Sequence, residues 1–319
     1  MSGLTSVAPG VLRLETTVSG TRMPLALHLV ACGGDDWLLL DTGCVGMIER
    51  SVLPALRSHA PNARIRTAVI SHAHADHFGG NAELLRAQPG CRLLVHRDDA
   101  AWASDPAWHV HDAYGALADE HPCPDEVKAW VAGLLGDPAP VERLEAGDAI
   151  TLAERDLRVL HLPGHAPGHL GLWDAEHGTL WLGDALLGDG QRIDDEVVAI
   201  PSYLSVDAYL GSLRAVRALD PERALPAHFP VMDRAALSDF CDRSEAFVAR
   251  LDEAIVGLLA DRRPRPLRTI TERVVPALAP RADAGMVAGL SVMAHLEALE
   301  RHGVVSRRFI DGHRHWERA

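Results

Sequence analysis

Between Val11 and Leu40 the apolar positions fall into three short blocks, Val11 to Leu14, Leu25 to Ala31 and Trp37 to Leu40. They are separated by glycine and polar clusters such as Cys32-Gly33-Gly34-Asp35. Blocks of that length with such breaks predict β-strands joined by tight turns. Further strand-like blocks follow at Thr67 to Ile70, Cys91 to Val95, Leu157 to Leu162, Leu170 to Trp173 and Thr179 to Leu182. Between them the apolar period lengthens. After Ser205, residues Val206, Tyr209, Leu210, Leu213, Val216 and Leu219 share one helical face. Strands mixed with amphipathic helices predict sheets with helices packed outside them.

Two segments break this rhythm. Residues 97–140 lack strand periodicity and carry Trp102, Trp108, Tyr114 and Trp130, in a chain with only seven Trp and three Tyr. They are read as an inserted helical lid whose aromatics either face substrate or anchor a satellite core. From about residue 236 a long helical pattern (Leu237, Phe240, Phe247, Leu251, Leu258) leads into the proline-punctuated Arg262-Arg263-Pro264-Arg265-Pro266. Thr269 and Glu272 match a capping box, and a second helical stripe from Met286 to Leu299 ends before Gly303. Val304 to Ile310 and His313 to Trp316 read as a hairpin around Asp311-Gly312. The expected organisation is therefore a main domain over 1–235 with its lid at about 97–140, and a helical, winged-helix-like domain over 236–319.

Charge narrows the partners. The 319 residues carry a formal net charge of −13, which disfavours binding a nucleic-acid backbone. Residues 262–319 hold 11 Arg and 6 acidic side chains, net +5. Their second helix nevertheless presents Ser291, His295, Glu297 and Glu300 where a groove reader needs Arg or Lys. Docking on the acidic main domain, or on a second copy in a homodimer, is expected before nucleic-acid contact. The five cysteines are scattered and form no C-x-x-C pair, which suggests a reducing, cytoplasmic setting with Cys44 and Cys91 as core thiols. No stretch approaches the roughly 18 apolar residues of a membrane span.

The chemistry concentrates in Ser71-His72-Ala73-His74-Ala75-Asp76-His77-Phe78-Gly79-Gly80, directly after a strand block. Imidazole nitrogens and a carboxylate at this spacing suit zinc and other first-row divalent ions, and one such run can feed two neighbouring ions. His165, Asp184 and His228 each follow an apolar block in the same way. If those strands run alike, their ends meet at one sheet edge and all seven side chains converge.

These residues resemble the metallo-β-lactamase superfamily, whose H-x-H-x-D-H signature appears as His72 to His77. The resemblance extends over roughly residues 8–235 through Leu40-Asp41-Thr42-Gly43, Leu162-Pro163-Gly164-His165-Ala166-Pro167-Gly168-His169, Leu182-Gly183-Asp184 and Pro226-Ala227-His228. It implies an α+β fold, a four-layer αββα sandwich with metals at one edge. It further implies that His72, His74 and His165 bind one ion and Asp76, His77 and His228 the other. Asp184 would bridge them, and Asp41 would stand behind as an outer carboxylate. His169 is expected as a structural or supporting histidine, not a ligand. The implied cofactors are two divalent ions, zinc first, with iron or manganese as alternatives.

The implied reaction is hydrolysis by hydroxide activated between the two ions, with Asp76 relaying a proton. An acidic domain with an aromatic lid favours a small-molecule or carrier-bound acyl ester, thioester or lactone. Tyr203, Trp102 and Trp108 are the candidate substrate contacts. The alternatives are an endoribonuclease or phosphodiesterase, and iron-dependent oxygen or persulfide chemistry on the same ligands.

Overall fold

The computed structural model describes residues 3–152 and 155–319. Seven strands form the first sheet in sequence order: β1 (Leu4–Ala8), β2 (Val11–Thr17), β3 (Pro24–Ala31), β4 (Asp36–Leu40), β5 (Arg64–Ile70), β6 (Arg92–His96) and β7 (Glu142–Leu144). The first four strands are antiparallel, whereas β4 to β7 pair in parallel. Parallel neighbours need crossovers, and these are supplied by α1 (Leu53–His59), α2 (Ala75–Phe78), α3 (Asn81–Ala87) and the insertion helices α4 (Ala100–Ser104), α5 (Pro106–Ala113) and α6 (Asp125–Ala132).

The second sheet contains β8 (Ala149–Leu152), β9 (Arg155–His161), β10 (Leu170–Asp174) and β11 (Thr179–Gly183). After the small hairpin β12 (Gln191–Ile193) and β13 (Glu196–Ala199) and the helix α7 (Val206–Leu219), β14 (Arg223–Pro226) and β15 (Met232–Asp233) complete it. β10 is antiparallel to both β9 and β11, and β14 is parallel to β11, so β9, β11 and β14 all run the same way.

Side-chain alternation divides each strand between two interiors. Leu38 and Leu40 of β4 meet Leu157, Leu172 and Trp181 between the sheets, whereas Trp37 and Leu39 turn outward to the helices beside Ile48 and Leu56. In β11, Trp181 faces inward, while Leu180 and Leu182 pack against Tyr209 and Leu213 of α7. Burial of both faces explains why these strands read as continuous apolar runs. The expected αββα layering is present.

The C-terminal segment begins at α8 (Arg234–Leu258), capped by the Asp233 carboxylate accepting the Ala236 N–H at 2.8 Å. The strand β16 (Arg265–Pro266), helices α9 (Leu267–Leu278) and α10 (Met286–Arg301), and hairpin β17 (Val305–Ile310) to β18 (His313–Arg318) follow. Asp311 and Gly312 have φ of 50° and 81°, the left-handed pair that a two-residue hairpin turn requires.

Two local expectations change. Arg265-Pro266, in the proline-punctuated stretch for which no strand was expected, forms a third strand against β18. The expected capping box at Thr269 lies inside α9, which starts two residues earlier because Leu267 is drawn into the buried core. The segment docks on the main body: Ala294 and Ala298 of α10 join the α7 core, Arg301 pairs with Asp207 at 2.6 Å, and Arg314 reaches Glu120 of the insertion at 2.5 Å. No helix among the described residues is long and apolar enough to cross a membrane.

Candidate metal centre

Because β4, β5 and β6 are parallel and β9, β11 and β14 share a direction, six strand ends collect at one edge of the sandwich. Asp41 follows β4, His72 and His74 follow β5, His165 follows β9, Asp184 follows β11 and His228 follows β14. The one-turn helix α2 carries Asp76 and His77.

Side chains separated by more than 150 positions meet there. His72 Nε2 lies 2.9 Å from His74 Nδ1 and 3.2 Å from His165 Nε2. His228 Nε2 lies 3.3 Å from both His77 Nε2 and the Asp76 carboxylate. Asp184 Oδ2 stands between the two groups, 3.1 Å from His228, 3.4 Å from His77 and 3.8 Å from His165.

The far sides of three of the imidazoles are already committed. His165 Nδ1–H donates to the Ser202 carbonyl at 2.6 Å, His228 Nδ1–H to the Pro24 carbonyl at 2.5 Å, and His77 Nδ1–H to Asp41 Oδ2 at 2.9 Å. Such bonds select the tautomer whose Nε2 lone pair points into the cluster. There the lone pairs face chiefly one another and carboxylate oxygens, and Asp184 Oδ1 is buried without a partner. Neutral polar groups do not pack this way without a cation, so the donor set fits two divalent ions.

Charge agrees with that fit. Burial holds His72, His74 and His165 below the usual imidazole pKa, the neutral state a ligand needs. Burial also opposes charge on His77 and His228, but the surrounding carboxylates outweigh it. Asp76, Asp41 and Asp184 hold His77 well above its usual value, and Asp184 and Asp76 push His228 up to about 10. The cluster therefore demands positive charge at the Asp76–His77–His228 side.

His169 stays out of the cage. Its Nε2 accepts the Asp184 backbone N–H at 3.0 Å, and its ring stacks on His72 at 4.9 Å. Gly183, at φ of 53°, permits this approach, because a Cβ there would lie 3.0 Å from His169 Nε2. Asp41 accepts from Ser71 N–H at 2.7 Å and Ser71 Oγ–H at 2.9 Å in addition to His77.

Two supporting residues escaped the sequence reading. Asp99, just past β6, accepts the Ala73 N–H at 2.8 Å and the Gly168 N–H at 2.6 Å, clamping the two ligand loops together; burial pushes its carboxyl up to about 6. Arg13 of β2 is buried and donates to the carbonyls of Pro226 at 3.1 Å and Phe229 at 2.8 Å, on either side of His228. The only hint was a polar residue in an apolar strand for Arg13, and a carboxylate at a strand end for Asp99.

A cavity of about 210 Å³ opens over the cluster, lined by His74, Asp76, His165, Asp184 and His228. Tyr203 lines it, with its hydroxyl donated to His295 Nε2 at 2.7 Å. Trp102 and Trp108, expected as substrate contacts, do not line it. Trp102 packs on the outer core of the first sheet and donates Nε1–H to Asp112 at 2.8 Å, while Trp108 lies on the solvent side of α5, 45% exposed. From the insertion it is Ala113 and Tyr114 that reach the cavity.

This chain is similar to known proteins in sequence and in fold. Residues 27–228 match the model of the metallo-beta-lactamase superfamily. The acyl-coenzyme A thioesterase MBLAC2 of Gallus gallus is 34% identical over 171 residues, 51% of this chain and 56% of that protein. A hydroxyacylglutathione hydrolase of Rhodospirillum rubrum is 27% identical over 172 residues, 52% of this chain and 54% of that protein. The chain thus spans about half the length of these curated relatives. A metallo-beta-lactamase family protein of Thermus thermophilus superposes with a TM-score of 0.76 at 24% identity, covering 98% of this chain and all of that one, a likeness of fold. By the match over nearly two thirds of its length and the sandwich that carries it, the chain belongs to the metallo-β-lactamase superfamily.

Proposed function

We propose that this protein is a binuclear metal-dependent hydrolase of acyl thioesters. The observation that carries the reading is the Asp184 carboxylate, shared between two histidine-containing groups at the floor of an open cavity. His72, His74 and His165 would hold one ion, Asp76, His77 and His228 the other, and Asp184 both; the nitrogen-rich, thiolate-free set suits zinc. When bound, such ions supply Lewis acidity and bring the pKa of water toward neutrality.

The protein's own groups then define the rest. Asp76 is the carboxylate of the cluster most open to the cavity, its side chain 19% exposed against 5% for Asp184. Burial opposes its ionisation, but His77 and His228 outweigh it and keep it ionised. An ionised Asp76 is placed to accept a proton from the attacking water, and has none to give to a leaving group before that transfer. A thiolate, with a pKa of about 8.5, departs without prior protonation far more readily than an alkoxide. This favours a thioester, the substrate class for which the two curated relatives are named.

The test is a hydrolysis panel of acyl thioesters, lactones, β-lactams and a short RNA, with wild type beside Asp184→Ala. Thioester turnover that is lost on chelation and in the variant is expected. Turnover surviving Asp184→Ala, or cleavage confined to RNA, would overturn the proposal.

A further inference from the structure

The walls of the cavity differ from its floor. Met286, Val287 and Leu290 of α10 face it together with Ile200, Leu204 and Met23, and no lysine or arginine is among its described lining residues. Val287 and Leu204 remain 42% and 37% exposed. Large apolar side chains left open beside a polar floor mark a place where an apolar ligand gains by covering them.

We propose that this cavity binds an uncharged alkyl chain on the acyl side of the substrate, and that Met286, Val287 and Leu290 determine the chain accepted. The inference rests on the thioester reading and specifies it. A carboxylate or phosphate on the acyl group would meet methionine, valine and leucine with no guanidinium or ammonium to pair with. An alkyl chain exchanges water for those same surfaces.

The wall is held rigidly against the floor. Ser291 Oγ–H donates to the Pro201 carbonyl at 2.9 Å, and its oxygen accepts the Tyr203 N–H at 3.1 Å. Tyr203 donates its hydroxyl to His295, whose Nδ1–H donates to Asp252 at 2.7 Å. Between these anchors, the Ser202 carbonyl accepts the Nδ1–H of His165. One loop therefore joins α10 to His165 and fixes the distance between the alkyl wall and the His/Asp cluster. Val287, Leu290 and Met286 act as specificity-determining residues, and Ser291 and His295 as positioning residues.

The test uses S-alkyl thioethers of N-acetylcysteamine, ethyl through decyl, titrated calorimetrically into zinc-loaded wild type and Val287→Asp. The matching thioesters are assayed in parallel. Aspartate in the first turn of α10 is favourable for the helix, so the variant is expected to fold. In wild type, one-to-one affinity should rise about fourfold per methylene until the cavity fills, and in Val287→Asp that rise should largely vanish. Affinity independent of chain length in wild type, or an undiminished rise in the variant, overturns the alkyl site whatever the thioesters do. Graded binding without thioester turnover supports the alkyl site and overturns the thioesterase reading instead.

Discussion

Replacing Asp41 by asparagine isolates one hydrogen bond behind the proposed metal centre. Asp41, just past β4, has φ of 60°, a left-handed conformation that asparagine adopts as readily as aspartate. The substitution therefore adds no backbone strain. Oδ1 can still accept the Ser71 N–H, and the Ser71 hydroxyl can rotate to accept from the new amide. His77 cannot adapt so cheaply, because its Nδ1–H, 2.9 Å from Oδ2, would meet another donor.

Removing that clash requires the other tautomer, which puts a proton on Nε2, where the lone pair must face an ion. Flipping the amide instead opposes it to the Ser71 N–H and costs about 1–3 kcal/mol for an unpaired buried donor. Loss of such a supporting partner weakens metal affinity about 10- to 100-fold, or roughly 1.4–2.7 kcal/mol. Competition with a chromophoric chelator should show this loss at one of two zinc equivalents in Asp41→Asn, with circular dichroism unchanged. Two equivalents bound as tightly as in wild type would refute the argument.

Other consequences follow from buried groups beyond the cluster. His28, buried beside Arg13, has its pKa lowered to about 3 by burial and then by that guanidinium. The unfolded chain takes a proton near pH 6.5 and the folded one does not, so the associated stability is complete above 6.5 and is lost as pH falls toward 3. Between pH 7 and 4.5 wild type should lose about 2–3 kcal/mol more than His28→Gln in urea unfolding; parallel losses would contradict this. Arg13→Met leaves the Pro226 and Phe229 carbonyls without their donor. The relief of desolvating a guanidinium offsets part of that cost, and a net destabilisation of about 2–3 kcal/mol with weaker zinc retention is expected. An unchanged chelator titration would show that this arginine does not hold His228 in place.

The cluster was visible in the sequence because His72, His74, His165, Asp184 and His228 stand just past apolar strand blocks, with Asp76 and His77 in the same run as the first two. Once β9, β11 and β14 run alike, those ends must meet. Asp99 and Arg13 were not legible, because their role is to accept from or donate to backbone amides and carbonyls brought close only by tertiary folding. The cavity wall was hidden for a related reason. The stripe of α10 showed only that the helix has an apolar face; most of that face is core, but Met286, Val287 and Leu290 at its first turns also line the cavity. The aromatic content of the insertion drew attention to Trp102 and Trp108, although composition carries no information on which side of a short helix meets solvent.

The longest helix has a mechanical consequence. Within α8, Leu237, Phe240 and Cys241 belong to the interior beneath α7, whereas Phe247, Leu251 and Ile255 belong to the C-terminal interior. A rod clamped at both ends transmits melting from one interior to the other. Heating should therefore give a single cooperative transition, and trimming the tail after this rod would strand Phe247, Leu251 and Ile255 in water and invite aggregation.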